Sequence, residues 1–251
     1  MDIAIVTGAS KGLGFEISKT LVHSSIEVIG LSRSTNDHVD YYEKMKNNIY
    51  THLQIDLCNK EEIETIFKGI IQKLIMKQPK KVYVINNAGM VEPIERLGFL
   101  DANLIEKAVQ LNYIAPMIIN NLLLKELRPY NLEIVIVNVT SGAAERSIHG
   151  WSVYNSTKAA INMHTNVAGL EQEKDDKSHK IIGFNPGIMD TDMQCVIRGA
   201  KEDAFAEINK FLDYKKNGEL RSPEVVGKAL IDLLLNEELI NGNIYSIKDL
   251  I

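Results

Sequence analysis

Tyr154 and Lys158 stand four residues apart in Tyr-Asn-Ser-Thr-Lys, and Ser141 lies thirteen residues before the tyrosine. On a helix, residues four apart share a face. A lysine ammonium beside a phenol favours the phenolate and lowers the tyrosine pKa from its reference of about 10. A phenol tuned in this way can give or take a proton at a substrate oxygen. A serine hydroxyl nearby can hold that oxygen. By itself Tyr-x-x-x-Lys is more often an ordinary amphipathic helix, so its meaning depends on what positions it.

At the other end, Met1-Asp-Ile-Ala-Ile-Val-Thr runs into Gly8-Ala-Ser-Lys-Gly-Leu-Gly14, and a helical pattern follows from Phe15 to Val22. Strand, glycine turn and helix in that order open a dinucleotide-binding unit. Gly8 permits the tight turn, and Gly12 and Gly14 let backbone approach a pyrophosphate. The helix that follows turns free N–H groups and its positive dipole end toward the phosphates. The spacing is Gly-x-x-x-Gly-x-Gly, not the commoner Gly-x-Gly-x-x-Gly.

Between these ends, strand-like and helix-like stretches alternate. Strands are expected at 2–7, 26–32, 50–55, 81–86, 132–139, 180–185 and 243–247, and helices near 12–24, 60–77, 101–127, 151–174 and 223–236. The first, fourth and fifth strands are almost continuous apolar runs, as buried parallel strands are. Alternation of this kind means βαβ units in an α/β fold, with a parallel sheet covered on both faces. No linker or repeat divides the 251 residues, so a single domain is expected. The stretch 188–221 is polar and interrupted. Its apolar residues (Met189, Met193, Val196, Ile197 and Phe205) look too few for a core element and suit a lid over a site.

Composition narrows the function. A net charge of −5 with no basic tract speaks against nucleic acid as a partner. No apolar stretch is long enough for a bilayer, so no membrane partner is expected. Cys58 and Cys195 form neither a disulfide framework nor a metal spacing, and His149 and His164 lack a third ligand, so no metal is expected. Free thiols and a first strand starting at Asp2 point to the cytoplasm.

Taken together, Thr7-Gly-Ala-Ser-Lys-Gly-Leu-Gly14, Asn86-Asn-Ala-Gly89, Asn112, Ser141, Tyr154-x-x-x-Lys158 and Pro186-Gly187 with Thr191 resemble the short-chain dehydrogenase/reductase family in order and spacing across the whole chain. Met90-Val-x-Pro-Ile, Val139-Thr-Ser-Gly-Ala-Ala144, Gly150-Trp-Ser-x-Tyr154, Pro186-Gly-x-Met-Asp-Thr-x-Met-Gln194 and Leu220-Arg-Ser-Pro223 bring it closer to the sepiapterin-reductase-like carbonyl reductases, the benzil-reducing members among them. The resemblance implies a doubly wound Rossmann sheet of strand order 3-2-1-4-5-6-7. It also implies reduction of a ketone or benzil-like 1,2-diketone, and pairing through the helices at 101–127 and 151–174 into a homodimer or homotetramer.

It further assigns roles. Tyr154 donates the proton, Ser141 orients the carbonyl, and Lys158 tunes the tyrosine and grips the nicotinamide ribose. Asn112 holds a water that relays protons to the lysine. Pro116, four residues on, removes the helical hydrogen bond to the Asn112 carbonyl and so frees it for that water. The cofactor contacts implied are Gly8, Ser10, Lys11, Gly12, Leu13, Gly14, Asp56, Leu57, Asn87, Ala88, Gly89, Tyr154, Lys158, Pro186, Gly187, Ile188 and Thr191, with Asp56 and Leu57 at the adenine and Thr191 at the carboxamide.

Cofactor choice can be read locally. A site for NAD usually carries an acid at the end of strand two. Here that strand ends Gly30-Leu-Ser-Arg33, and Glu27 comes too early. Arg33 and Lys11 offer two cations for the 2′-phosphate of NADP(H). Three alternatives remain at this stage: a pteridine-type reductase, a sugar-nucleotide epimerase or dehydratase, and a non-catalytic NADP(H) sensor. The second usually needs a larger C-terminal domain, and the third has no need of a proton donor.

Overall fold

The computed structural model describes residues 1–34, 49–175 and 178–251. Seven strands form one parallel sheet: β1 (Ile3–Thr7), β2 (Glu27–Ser32), β3 (Tyr50–Gln54), β4 (Lys81–Asn86), β5 (Glu133–Val139), β6 (Lys180–Asn185) and β7 (Ile244–Ser246). Their spatial order is β3-β2-β1-β4-β5-β6-β7, as expected. The order reverses between β1 and β4, and the crevice at such a switch point is where α/β sheets bind ligands.

Strand side chains alternate between faces, which builds two cores from one sheet. Ala4 and Val6 pack with Leu13, Ile17 and Leu21 of α1 (Gly12–His23). Ile3 and Ile5 pack on the other face with Phe67 of α2 (Lys60–Lys77). The helix starts follow local chemistry. The Asn59 side chain accepts from the Glu61 and Glu62 N–H groups to cap α2, and Asp101 caps α3 (Ala102–Val109) in the same way.

The expected helix at 101–127 is not continuous. After α3 the chain makes a wider π-type turn, Gln110–Ile114, in which the Ala115 N–H bonds the Gln110 carbonyl, and then continues as α4 (Ala115–Leu127). Pro116 has no N–H to offer the Asn112 carbonyl, and the wider turn accommodates it.

Helix α5 (Ser152–Glu173) follows β5 and crosses the site. Beyond β6, the stretch 188–221 is more ordered than its sequence suggests. It contains α6 (Asp192–Arg198) and α7 (Ile208–Lys216), and α8 (Pro223–Asn236) follows. A bridge between Met189 and Arg221 closes its base. Ile197, Phe205 and Phe211 are buried in a third apolar cluster with Val91, Trp151 and Tyr154. The expectation that this stretch lacks core residues is therefore corrected. Phe205 is fully enclosed because Trp151 stacks on it at 5.1 Å between ring centroids.

Candidate active site

The site forms at the C-terminal ends of β4 and β5. Helix α5 places Tyr154 and Lys158 one turn apart, both buried. The Lys158 ammonium donates to the Val139 carbonyl at 2.9 Å and lies 5.8 Å from the Tyr154 ring centroid. Ser141 sits just past the end of β5. Its Oγ accepts from the Ala143 N–H at 3.1 Å, and it lies near enough to the Tyr154 phenol to favour the phenolate.

Asn112 enters from the π-type turn. Its Oδ1 accepts from the Met90 N–H and its Nδ2 donates to the Met90 carbonyl, both at 2.8 Å. The same Nδ2 donates to Thr157 Oγ1 at 3.2 Å, which joins the turn to α5. Gly89 makes the convergence possible: a Cβ there would stand 3.2 Å from Asn112 Oδ1 and 3.7 Å from Lys158 Nζ. The four residues expected to act together are thus brought together, on elements separated by up to 46 positions of chain.

The charges do not settle as the sequence suggests. Burial pushes the Tyr154 phenol above its usual value, and Ser141 offsets this only in part. Lys158, itself lowered to about 8 by burial, does not reverse this. The expected depression of the tyrosine by its lysine is corrected: desolvation of both groups outweighs their proximity. A tyrosine held high keeps its proton at neutral pH.

Beside this pair lies a cradle shaped for a phosphorylated ligand. Gly8 and Gly12 adopt left-handed backbone, φ +68° and +56°. A Cβ on Gly14 would fall 2.2 Å from the Gly8 carbonyl oxygen, so only glycine closes the turn. Thr7 Oγ1 ties the glycine loop to the next one, accepting from the Asn87 and Ala88 N–H groups at 2.9 and 3.0 Å. Leu13 is buried in the core beneath, whereas Ser10 is only partly covered. Arg33 is exposed at the end of β2 and lines, with Gln54, Ile55, Asp56 and Glu62, a cavity of about 480 Å³.

Leu57 faces away from that cavity, buried in the second core. Pro186, Gly187 and Ile188 follow β6, with Gly187 at φ +68°. Thr191 comes to 3.6 Å from where a Gly12 Cβ would lie. Lys11 is ion-paired with Asp192 at 2.6 Å. Cradle and cavity suit a dinucleotide: glycine backbone for the pyrophosphate, and a hollow beside a guanidinium.

Some participants escaped the sequence reading. Asn120, Asn138 and Thr165 join Asn86 of the Asn-Asn-Ala-Gly motif in a buried polar network that ties β4, β5, α4 and α5 together. An asparagine within the apolar run Ile-Val-Ile-Val-Asn-Val was its visible signal. Val139 acts through its backbone and carries no such signal. Among the described residues no cluster could hold a metal ion, and no helix is long and apolar enough to cross a membrane.

Comparison with known proteins agrees with this geometry. The family described as short chain dehydrogenase matches residues 2–202. A Bacillus subtilis (strain 168) protein named benzil reductase ((S)-benzoin forming) is 38% identical over 249 residues, 99% of each chain. A Bacillus cereus protein of the same name is 32% identical over 99% of this chain and 100% of its own. Among solved structures, that of the KRED1-Pglu enzyme superposes with a TM-score of 0.82 at 27% identity, covering 98% of this chain and 100% of that one.

Proposed function

This chain belongs to the short-chain dehydrogenase/reductase family, and we propose that it is an NADPH-dependent carbonyl reductase acting on a ketone or 1,2-diketone of the benzil type. The observation that carries the reading is the convergence of Ser141, a buried Tyr154, Lys158 and Asn112 at the ends of β4 and β5. When bound, the nicotinamide supplies the hydride.

The protein's residues do the rest. Ser141 holds the substrate carbonyl oxygen and stabilises its developing charge. Tyr154 delivers its phenolic proton to that oxygen. Lys158 stands where its ammonium can contact a ribose and assist the tyrosine. Asn112 fixes the Met90 backbone and Thr157, and its carbonyl is the place for the water that returns protons. Gly8, Ser10, Gly12, Leu13, Gly14, Asn87, Ala88, Gly89, Pro186, Gly187, Ile188 and Thr191 border the dinucleotide. Asp56 lines the adenine end with Leu57 buried behind it, and Arg33 with Lys11 takes the 2′-phosphate.

A further feature favours a diketone. The cluster of Trp151, Phe205 and Phe211 gives an apolar aromatic wall beside Tyr154. The Trp151 indole N–H is buried in that wall with no hydrogen-bond partner among the described residues. Stretch 188–221 serves as the lid that excludes water. Met163, Val167 and Leu170 form an exposed apolar stripe on α5, which suits pairing of two copies through that helix. Unpaired thiols at Cys58 and Cys195 suit the cytoplasm.

One panel tests the reading: NADPH consumption with benzil, other α-diketones, sepiapterin and simple ketones. Turnover of benzil well above that of simple ketones is expected. No NADPH oxidation with any carbonyl in the panel would overturn the proposal.

A further inference from the structure

Lys11 is one of the two cations the cofactor reading needs, and in the structure another group holds it. Its Nζ lies 2.6 Å from Oδ2 of Asp192, across 181 positions of sequence. Asp192 stands in the first turn of α6, at the start of the lid stretch. The two segments also meet beside this pair, where the Thr191 methyl lies 3.6 Å from the position of a Gly12 Cβ. Lys11 therefore fastens the glycine loop to the lid.

The same loop is fastened on its other side to β2. The Gly8 and Ala9 N–H groups both donate to the Leu31 carbonyl, at 2.7 and 3.2 Å, two residues before Arg33. Lys11 thus belongs to a loop tied to the lid through Asp192 and to the strand that leads into Arg33 through Leu31. It cannot serve a carboxylate on the lid and a phosphate beside Arg33 with equal strength at once.

The strengths of the rival partners differ. Lys11 and Asp192 are mostly exposed, 71% and 73%, and an exposed pair of this kind is weak. A phosphate monoester carries close to two negative charges and three acceptor oxygens. A ribose 2′-hydroxyl carries no charge. Both nicotinamide dinucleotides bring a pyrophosphate, but only the phosphorylated one adds a phosphate monoester to compete with Asp192 for Lys11.

We propose that Asp192 is a specificity-determining residue for the cofactor. It engages Lys11 and yields it to a ribose 2′-phosphate, so binding of the phosphorylated dinucleotide frees the start of α6 from the glycine loop. The proposal rests on the NADPH reading above, and it adds a cost to that binding which Asp192 alone sets. An acid near a polyanion also repels it through space. That repulsion falls on both cofactors through their shared pyrophosphate, adds to NADP⁺ through its 2′-phosphate, and does not require Lys11.

Calorimetric titration with NADP⁺ and with NAD⁺ separates the two effects. The proteins are the wild type, Asp192→Asn, Lys11→Met and the double variant, all changed at exposed positions where folding is not at stake. Asp192→Asn should tighten NADP⁺ by about threefold to fivefold and leave NAD⁺ nearly unchanged. In the Lys11→Met background the same substitution should lose most of its selective gain, leaving only the through-space part. Equal effects on both cofactors, a selective gain undiminished without Lys11, or no gain would overturn the proposal. A wild type that binds NAD⁺ as tightly as NADP⁺, with the Lys11-dependent gain intact, would overturn the NADPH reading and leave the role of Asp192 standing.

Discussion

The ammonium of Lys158 is held by the carbonyl of Val139 at 2.9 Å, inside the protein and two residues before Ser141. One backbone oxygen is a small return for a charge taken out of water, and burial lowers the lysine to about 8. Below that pH the folded and unfolded chains both carry the proton, and folding bears the full cost of burying the charge. Between about 8 and the unfolded value near 10.4 the unfolded chain binds more protons, so stability rises with pH. Lys158→Met should therefore raise the melting temperature at pH 7, and the gain should fade toward pH 10. Melting curves at the two pH values check this. A variant that is less stable at pH 7, with a gap that widens as pH rises, would contradict it.

Tyr154→Phe keeps the ring and removes the proton. It should lower kcat/KM by about a thousandfold or more, several kcal/mol of transition-state stabilisation, while NADP⁺ binding survives. Lys158→Ala should weaken both turnover and cofactor binding. Steady-state kinetics and a binding titration suffice. If Tyr154→Phe keeps most of its activity on a good substrate, another group donates the proton.

Arg33 stands at the end of β2, at the rim of the cavity that Asp56 also lines. With NADPH as cofactor, Arg33→Asp should shrink or reverse the preference for NADPH over NADH. Comparing kcat/KM for both cofactors in both proteins decides it. Equal efficiency with both in the wild type would remove the premise.

At the opposite end of the sheet, Glu27 is almost fully buried and meets Lys73 at 2.9 Å and Lys77 at 2.5 Å. Burial pushes its carboxyl up, but the two lysines more than offset this and hold it below its usual value. A depressed carboxyl contributes stability above its unfolded pKa and loses it as pH falls through the lower folded value. Glu27→Gln should cost about 1–3 kcal/mol at pH 7 and flatten the acid side of the stability profile. Urea unfolding across pH 3 to 7 would show this, and an unchanged acid slope would count against it.

The lid reading predicts a divided pattern of hydrogen exchange. Amides around α6 should slow markedly on adding NADP⁺ with a diketone. Those near Phe205 and Phe211, already packed on Trp151, should be protected beforehand. Equal protection of α6 and the sheet before ligand is added would mean that no lid moves there.

What the sequence revealed follows from the range of each interaction. Strands β1, β4 and β5 are legible because a parallel strand covered on both faces must be apolar throughout. The glycine turn and the Tyr154–Lys158 pair are legible because their geometry is set within a few residues. Pro116 signalled a disturbed helix but not the wider turn that absorbs it. The sign of the Tyr154 shift was hidden, since burial comes from Phe205 and Phe211, more than fifty positions downstream. Helix α7 was hidden because Phe211 is its one buried residue and leaves no stripe. The Lys11–Asp192 contact spans most of the chain, and no spacing announces it.

Trp151 is the chain's single tryptophan. Its ring meets Tyr154 edge-on at 5.2 Å and stacks on Phe205 at 5.1 Å. Every photon of indole emission therefore originates between the candidate proton donor and the stretch that covers it. The molecule has a built-in optical probe beside the candidate proton donor. Its colour and lifetime would follow the drying of the site without any label, and its overlap with reduced nicotinamide absorption would make cofactor arrival visible as quenching.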